Sequence, residues 1–422
     1  MFEKIAILVV FSAIIDVINY YALKSMIRRL RGSGAYGIIL KGYIIFSILL
    51  MAYFVLSFFY IGYPGYDYEK YRSFFILFGL YALIYFPRIN FVLFVIIQWI
   101  YYGIKKVFGS ASNFRVSRIP KRSFLVQKIG LVLSVVSFIL VLYGMIWGKS
   151  DFIARQTTVY FDDLPKGFEG FKIAQISDVH LGSFSDRKDV LKGLKLLEDQ
   201  NVDIVLFTGD MVNNIADEME NYISDFAKIN PKYGKYAILG NHDMGDYLKW
   251  KNADLKYKEL LRMEDFERQM GFKMLLNQND IIYRKGDSIA ILGVENWGKP
   301  PFKQYGDLSK AMQGVEDVEF KILLSHDPSH FMLKVKDDEL IQLTLSGHTH
   351  GMQIGIRCCG FKWSPISFIY PQWNGLYKYN NKYLHVNPGF GFIGLPARIG
   401  IRPEISIITL QNSKNKESMS NE

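Results

Sequence analysis

The chain has 422 residues, half of them apolar and 15% aromatic, with 50 Lys and Arg against 40 Asp and Glu. Those proportions exclude a disordered, collagen-like or disulfide-stapled protein, and the two adjacent cysteines, Cys358 and Cys359, supply no C-x-x-C metal or redox pair. The net charge of +10 divides unevenly: residues 1–150 carry 17 basic and 4 acidic side chains, residues 151–422 carry 33 and 36. The second part therefore has no basic surplus to offer a phosphate backbone, and nucleic acid is a poor candidate for the main partner.

Apolar runs near 4–23, 38–60 and 128–148 are each about as long as a hydrocarbon core requires. A longer stretch, 73–103, is interrupted by Pro87 and Arg88. Each half alone is too short to cross, so it reads as one kinked or tilted span, with two spans as the alternative. Lys24, Arg28, Arg29 and Arg31 separate the first two spans; Lys105, Lys106, Arg115, Arg118, Lys121, Arg122 and Lys128 precede the last. The loop at 61–72 has no net charge. The basic loops are expected on the cytoplasmic side, which puts everything after residue 150 outside. No small-residue cleavage site closes the first run, so it is read as a span and not a signal peptide. Asp16 within it is expensive in lipid and is open to four readings: a relay, a partner for Arg88, a plain polar contact between helices, or a residue near the bilayer edge.

From about residue 154 the periodicity changes. Apolar runs of strand length at 172–177, 202–208, 235–239, 321–325 and 341–345 alternate, in the first half, with amphipathic stretches at 187–200, 214–228 and 252–270. Strand, helix, strand predicts parallel pairing in an α/β sheet. Hairpins are predicted at 281–285 with 289–294 and at 376–379 with 382–386, turning at Gly286-Asp287 and Asn380-Asn381. A last strand, 404–410, precedes a polar tail. The expected organisation is a membrane domain over 1–150 with about four helices, an α/β domain with a two-sheet core over 151–410, and a disordered tail over 411–422.

Five of the seven histidines follow predicted strands, in short motifs with Asp and Asn: Ser177-Asp178-Val179-His180, Gly209-Asp210, Gly240-Asn241-His242-Asp243, Ser325-His326-Asp327 and Gly347-His348-Thr349-His350. Ligands of open α/β sheets gather outside the carboxyl ends of the strands, so the five motifs are expected to share one crevice. A spacing of two, in Asp178 with His180 and in His348 with His350, sends both side chains to the same side if the segment is extended. Carboxylate, imidazole and carboxamide donors without thiolate suit Mn²⁺, Fe or Zn²⁺. Seven donors exceed one tetrahedral site and fit two metals that share a carboxylate. Asp-x-His alone is more often an ordinary loop; the five motifs together are not. His330 and His385 lie outside them and are read as structural or surface residues. Two matches to G-x-G-x-x-G, beginning at Gly32 and Gly389, lack the surrounding strand and helix and are read as chance.

These motifs resemble the signature of the calcineurin-like metallophosphoesterase superfamily, over roughly 154–410. Gly394-Leu395-Pro396-Ala397-Arg398 and Arg402-Pro403-Glu404-Ile405 resemble its bacterial membrane-anchored branch. The resemblance implies a two-sheet sandwich with a dinuclear centre. It implies Asp178, His180 and His350 as ligands of one metal, Asn241, His326 and His348 as ligands of the other, and Asp210 as the bridge. His242 matches the histidine that contacts the phosphate and helps the leaving group depart, and Asp243 is a candidate either to orient it or to make a plain salt bridge or turn contact. Asp327 is a candidate to fix the His326 tautomer. Met352 stands where the branch often has Gly.

The activity this implies is hydrolysis of a phosphomonoester, phosphodiester or pyrophosphate by metal-bound hydroxide, outside the cytoplasmic membrane, with a lipid-linked substrate favoured by the anchor. Relatives of the branch include hydrolases of UDP-2,3-diacylglucosamine in lipid A synthesis, a cytoplasmic precursor whose location conflicts with the expected orientation. The alternative of another class is a non-catalytic metal-binding receptor or scaffold.

Overall fold

A computed structural model of the protein describes residues 2–61, 66–111, 125–337 and 340–414. Two compact units result: Met1–Pro64 with Ser73–Gly144, and Gly65–Arg72 with Met145–Glu422.

The first unit is built on four helices, α1 (Phe2–Met26), α2 (Gly34–Ile61), α3 (Tyr68–Ala111) and α4 (Leu125–Ile146). Each is long and apolar enough to cross a bilayer. Helix α3 runs unbroken through Pro87, so 73–103 is one helix and not two. Asp16 is buried and accepts hydrogen bonds from Arg88, from Tyr85 Oη at 3.1 Å and from Tyr43 Oη at 3.3 Å. Those donors lie on α2 and α3, so the carboxylate ties three helices together; this is the polar contact, with Arg88 as partner, among the readings left open. Arg115, Arg118, Lys121 and Arg122 of the second basic loop lie outside the described residues.

The second unit holds fourteen strands among the described residues. They are β1 (Ile153–Phe161), β2 (Lys172–Ile176), β3 (Ile204–Phe207), β4 (Lys235–Ala237), β5 (Phe272–Met274), β6 (Gln278–Arg284) and β7 (Asp287–Gly293). Then follow β8 (Lys321–Leu324), β9 (Leu343–Ser346), β10 (Ile356–Cys358), β11 (Phe361–Trp363), β12 (Gly375–Tyr379), β13 (Lys382–Val386) and β14 (Glu404–Asn412). One six-stranded sheet has the order β1-β14-β2-β3-β4-β5, the other β12-β13-β9-β8-β7-β6, and β10 pairs only with β11.

The parallel pairs β2-β3 and β3-β4 are those the alternation of strand and helix predicted, and β7-β8 and β8-β9 are parallel as well. The second hairpin turns at Asn380-Asn381 as expected, while the first turns at Lys285-Gly286, one residue before the expected position, because Asp287 pairs with Arg284. Alternate residues of the central strands divide between two interiors. Ile173, Ile204, Leu206 and Ile238 face Ile291, Ile322, Leu324 and Leu345 of the other sheet. Ala174, Ile176, Val205 and Phe207 pack outward against Val190 and Leu194 of helix α5 (Arg187–Glu198), Phe226 of α6 (Ile223–Ala227) and Met263 of α7 (Ala253–Gln269). The result is the expected two-sheet sandwich with helices outside. Strand β14 continues to Asn412, two residues beyond the boundary read from the sequence, and 415–422 lie outside the described residues.

Candidate metal centre

The carboxyl ends of β2, β3, β8 and β9, with the turn after β4, bring all seven predicted donors together. On one side, His350 Nε2 lies 3.0 Å from His180 Nε2 and 3.2 Å from Asp178 Oδ1. On the other, Asn241 Oδ1 lies 3.1 Å from His326 Nε2 and 2.7 Å from His348 Nδ1. Asp210 Oδ2 sits between, 3.7 Å from His180 Nε2 and 3.2 Å from His326 Nε2. Asp178, His180, Asp210 and His350 are all buried, with ligand atoms within 4.8 Å of one another.

The backbone route to this convergence differs from the one the spacing suggested. Strands β2 and β9 end at Ile176 and Ser346, before the donors begin. Asp178, His180, Asp210, His348 and His350 all have positive φ, between 49° and 69°. The shared direction of each pair thus comes from left-handed turns and not from an extended segment. Left-handed non-glycine residues are sterically costly and persist where surrounding structure holds them, which is the usual condition of a functional site. Two glycines permit the close approach: a Cβ on Gly347 would strike Ser177 Oγ and Asp178 Oδ2, and one on Gly240 would strike Asp210 Oδ1.

The donor set fits a cation. His180 Nδ1 faces the Val212 carbonyl at 3.0 Å and His326 Nδ1 the Thr208 carbonyl at 2.7 Å. Each Nδ1 must carry the proton to donate, which leaves the Nε2 lone pairs pointed at one another's neighbours and at carboxylate or carboxamide oxygens. Acceptors facing acceptors inside a protein repel unless a positive charge lies among them. Without one, burial raises Asp178 to about 7. Burial would also raise Asp210, but the imidazoles of His326, His242 and His180 hold it well below the carboxylate range. Burial opposes protonation of His326, yet Asp210 and Asp178 lift it to about 10. A divalent ion is the natural substitute for those protons.

Several supporting residues stand elsewhere than expected. The Asp243 carboxylate accepts from the backbone amides of Asp210, Met211, Val212 and Gly240, at 2.7 to 3.3 Å. It shapes the loop that carries Asp210, which is the turn contact among the two readings left open for it, and its oxygens make no bond to the His242 ring. His242 is instead held by its own Nδ1, 2.7 Å from the Asn213 carbonyl. Asp327 serves His348 and not His326: its Oδ2 is 3.5 Å from His348 Nε2, and it accepts from Tyr370 Oη at 3.1 Å, itself 3.1 Å from His348 Nε2. Tyr247 stacks near His242, centroids 4.5 Å apart, and accepts from Asn241 Nδ2 at 2.8 Å, which turns Asn241 Oδ1 toward the centre. Glu218 accepts from the amides of Gly182, Asn213, Asn214 and Ile215 and so links the loops after β2 and β3. Nothing in a linear reading marks Tyr247, Tyr370 or Glu218, because each acts across a loop. His330 and His385 are buried, bonded to Ser325 and Gln175, consistent with structural residues.

Comparison with known proteins agrees with this geometry. Residues 171–352 match the family model described as calcineurin-like phosphoesterase, and residues 3–149 match one described as a probable calcineurin-like phosphoesterase transmembrane domain. The chain is 32% identical to the "uncharacterized metallophosphoesterase YkuE" of Bacillus subtilis, over 59% of this chain and 82% of that one. It is 29% identical to an "uncharacterized metallophosphoesterase" of Aquifex aeolicus, over 66% of this chain and all of the other. A "transmembrane protein with metallophosphoesterase domain" from Danio rerio is 26% identical over 66% of this chain, which spans 62% of that protein. The chain belongs to the calcineurin-like metallophosphoesterase family, as a membrane protein and a metal-dependent phosphoester hydrolase.

Proposed function

We propose that the protein hydrolyses a phosphate ester or pyrophosphate at a centre of two divalent cations, on the outer side of the cytoplasmic membrane. Asp178, His180 and His350 would hold one cation, Asn241, His326 and His348 the other, with Asp210 between them. The observation that carries this reading is the set of buried acceptors turned toward one another, divided by Asp210 into two groups. Carboxylate, carboxamide and imidazole donors favour Mn²⁺, Fe or Zn²⁺. When bound, such a pair polarises phosphoryl oxygens and acidifies water.

The remaining work belongs to the chain. The loops of Asp243 and Glu218 fix the donors before substrate arrives. His242 keeps its Nδ1 proton on the Asn213 carbonyl, so Nε2 is free to take up a proton and pass it to the departing oxygen. Burial lowers the His242 pKa, which favours release of that proton.

Asp210→Asn and His242→Ala are expected to abolish hydrolysis of an aryl phosphodiester, with bound metal, read by elemental analysis, lost only in the former. Full activity in either variant removes the role assigned to that residue. Retention of all seven donors argues against a non-catalytic scaffold. The outer orientation argues against a cytoplasmic lipid A precursor as substrate.

A further inference from the structure

Strands β10 and β11 form a hairpin outside both six-stranded sheets, and its amphipathicity is reversed. Ile356 pairs with Trp363 and Cys358 with Phe361, so these four share a face. That face is turned to the outside: Ile356 is 53% exposed, Phe361 60% and Trp363 41%. The charged residues lie on the other face, Arg357 half-buried and Lys362 exposed, and both bond to the protein. Arg357 donates to Asn374 Oδ1 at 2.7 Å and Glu404 Oε2 at 3.0 Å, and Lys362 donates to the Asn374 carbonyl at 2.6 Å. Trp363 touches Phe368, centroids 6.5 Å apart, which is 82% exposed and precedes Ile369, 56% exposed. The apolar surface is therefore continuous over hairpin and turn.

It also leads to the candidate centre. Tyr370 follows Ile369 directly, and its hydroxyl bonds Asp327 and His348. At the junction Lys299 Nζ lies 4.5 Å over the Tyr370 ring and donates to the Ile369 carbonyl at 2.9 Å.

We propose that this hairpin and turn insert into the interfacial layer of the bilayer and present amphipathic phosphoesters to the metal centre, with Lys299 beside the phosphate. The chain's own membrane helices keep the unit at a bilayer at all times. Trp, Phe and Ile without charge are the side chains that partition there. Six side chains cover on the order of a few hundred Å², short of the roughly 800 Å² per partner that a stable dimer buries. Insertion stands independently of the hydrolase reading; delivery of substrate rests on it.

The test uses the full chain in phosphatidylcholine–phosphatidylglycerol nanodiscs containing nitroxide-labelled lipid. Bimane is placed at Phe368→Cys, or as control at Tyr283→Cys on the exposed tip of the β6-β7 hairpin, in a Cys358→Ser, Cys359→Ser background. Lipid nitroxides are expected to quench the first label at least about twofold and the second little. Equal quenching at both positions overturns insertion, as does protection of position 368 from both lipid nitroxide and aqueous iodide, which would mean a second protein covers it. Phe361→Ser with Phe368→Ser should leave turnover of a water-soluble aryl phosphodiester unchanged and lower that of a vesicle-embedded alkyl phosphodiester about tenfold, or 1.4 kcal/mol. Equal loss on both substrates overturns delivery. If the parent cleaves neither, the hydrolase reading fails while the quenching result still decides insertion.

Discussion

Glu267, on α7, is fully buried and neither of its carboxyl oxygens has a hydrogen-bond partner. Burial, reinforced by Asp243 and Glu264, holds its pKa well above the ordinary 4.5. Below that value the group is neutral in both folded and unfolded chains. Above it the unfolded chain ionises while the folded chain keeps the proton, so stability is lost as pH rises toward the folded pKa. Glu267→Met removes an unpaired polar group of similar volume and should raise stability by about 1–3 kcal/mol. The gain should be larger at about pH 8 than at about pH 5 in thermal melts; a gain that shrinks with pH would contradict the assignment. At this scale the sequence was informative about donors, while of the supports it marked Asp243 and Asp327 without their true partners and missed the rest. Asp210 stands in a motif, whereas Glu218 and Tyr370 matter only because their loops meet.

The elements most easily read were buried on both faces. Strands β2, β3, β8 and β9 are short apolar runs ended by polar motifs, and tertiary burial explains both features. Strand β1 is a nine-residue edge strand whose burial is mixed, so it shows no clean alternation, and β5, β10 and β11 have three residues each, too few to carry a pattern. Boundaries within the motifs were also hidden, because an abrupt turn into left-handed conformation has no periodicity. Met352 shows the cost of that turn: it has φ of 52° and is 52% exposed, so its side chain contributes little packing where glycine would fit without strain. Met352→Gly should stabilise the protein by about 0.5–1 kcal/mol, after allowing for glycine's greater unfolded-state entropy. An unchanged or lower melting temperature would show that the side chain is held by contacts worth more than the strain.

For the molecule as a whole, the orientation in the membrane decides which phosphoesters it can meet. An uninterrupted α3 leaves four candidate spans among the described residues, and if all four cross, α4 ends on the side where α1 begins. With the basic loops inside, a phosphatase reporter fused after Glu422 should be active and a fluorescent-protein reporter at the same position dark. The opposite pattern would reverse the orientation and restore a cytoplasmic substrate.

The kinds of donor, their order along the chain and the presence of long membrane spans were determined by the sequence itself, because each is a local property: residue chemistry, apolar length, periodicity. Only the tertiary structure decided which nitrogen of each imidazole faces inward, that Asp243 holds backbone and not His242, that Asp327 serves His348, and that a hairpin turns its apolar face outward. Those outcomes depend on contacts such as Asp178 with His348, 170 positions apart, whose geometry arises when two sheets pack and is written in no single segment.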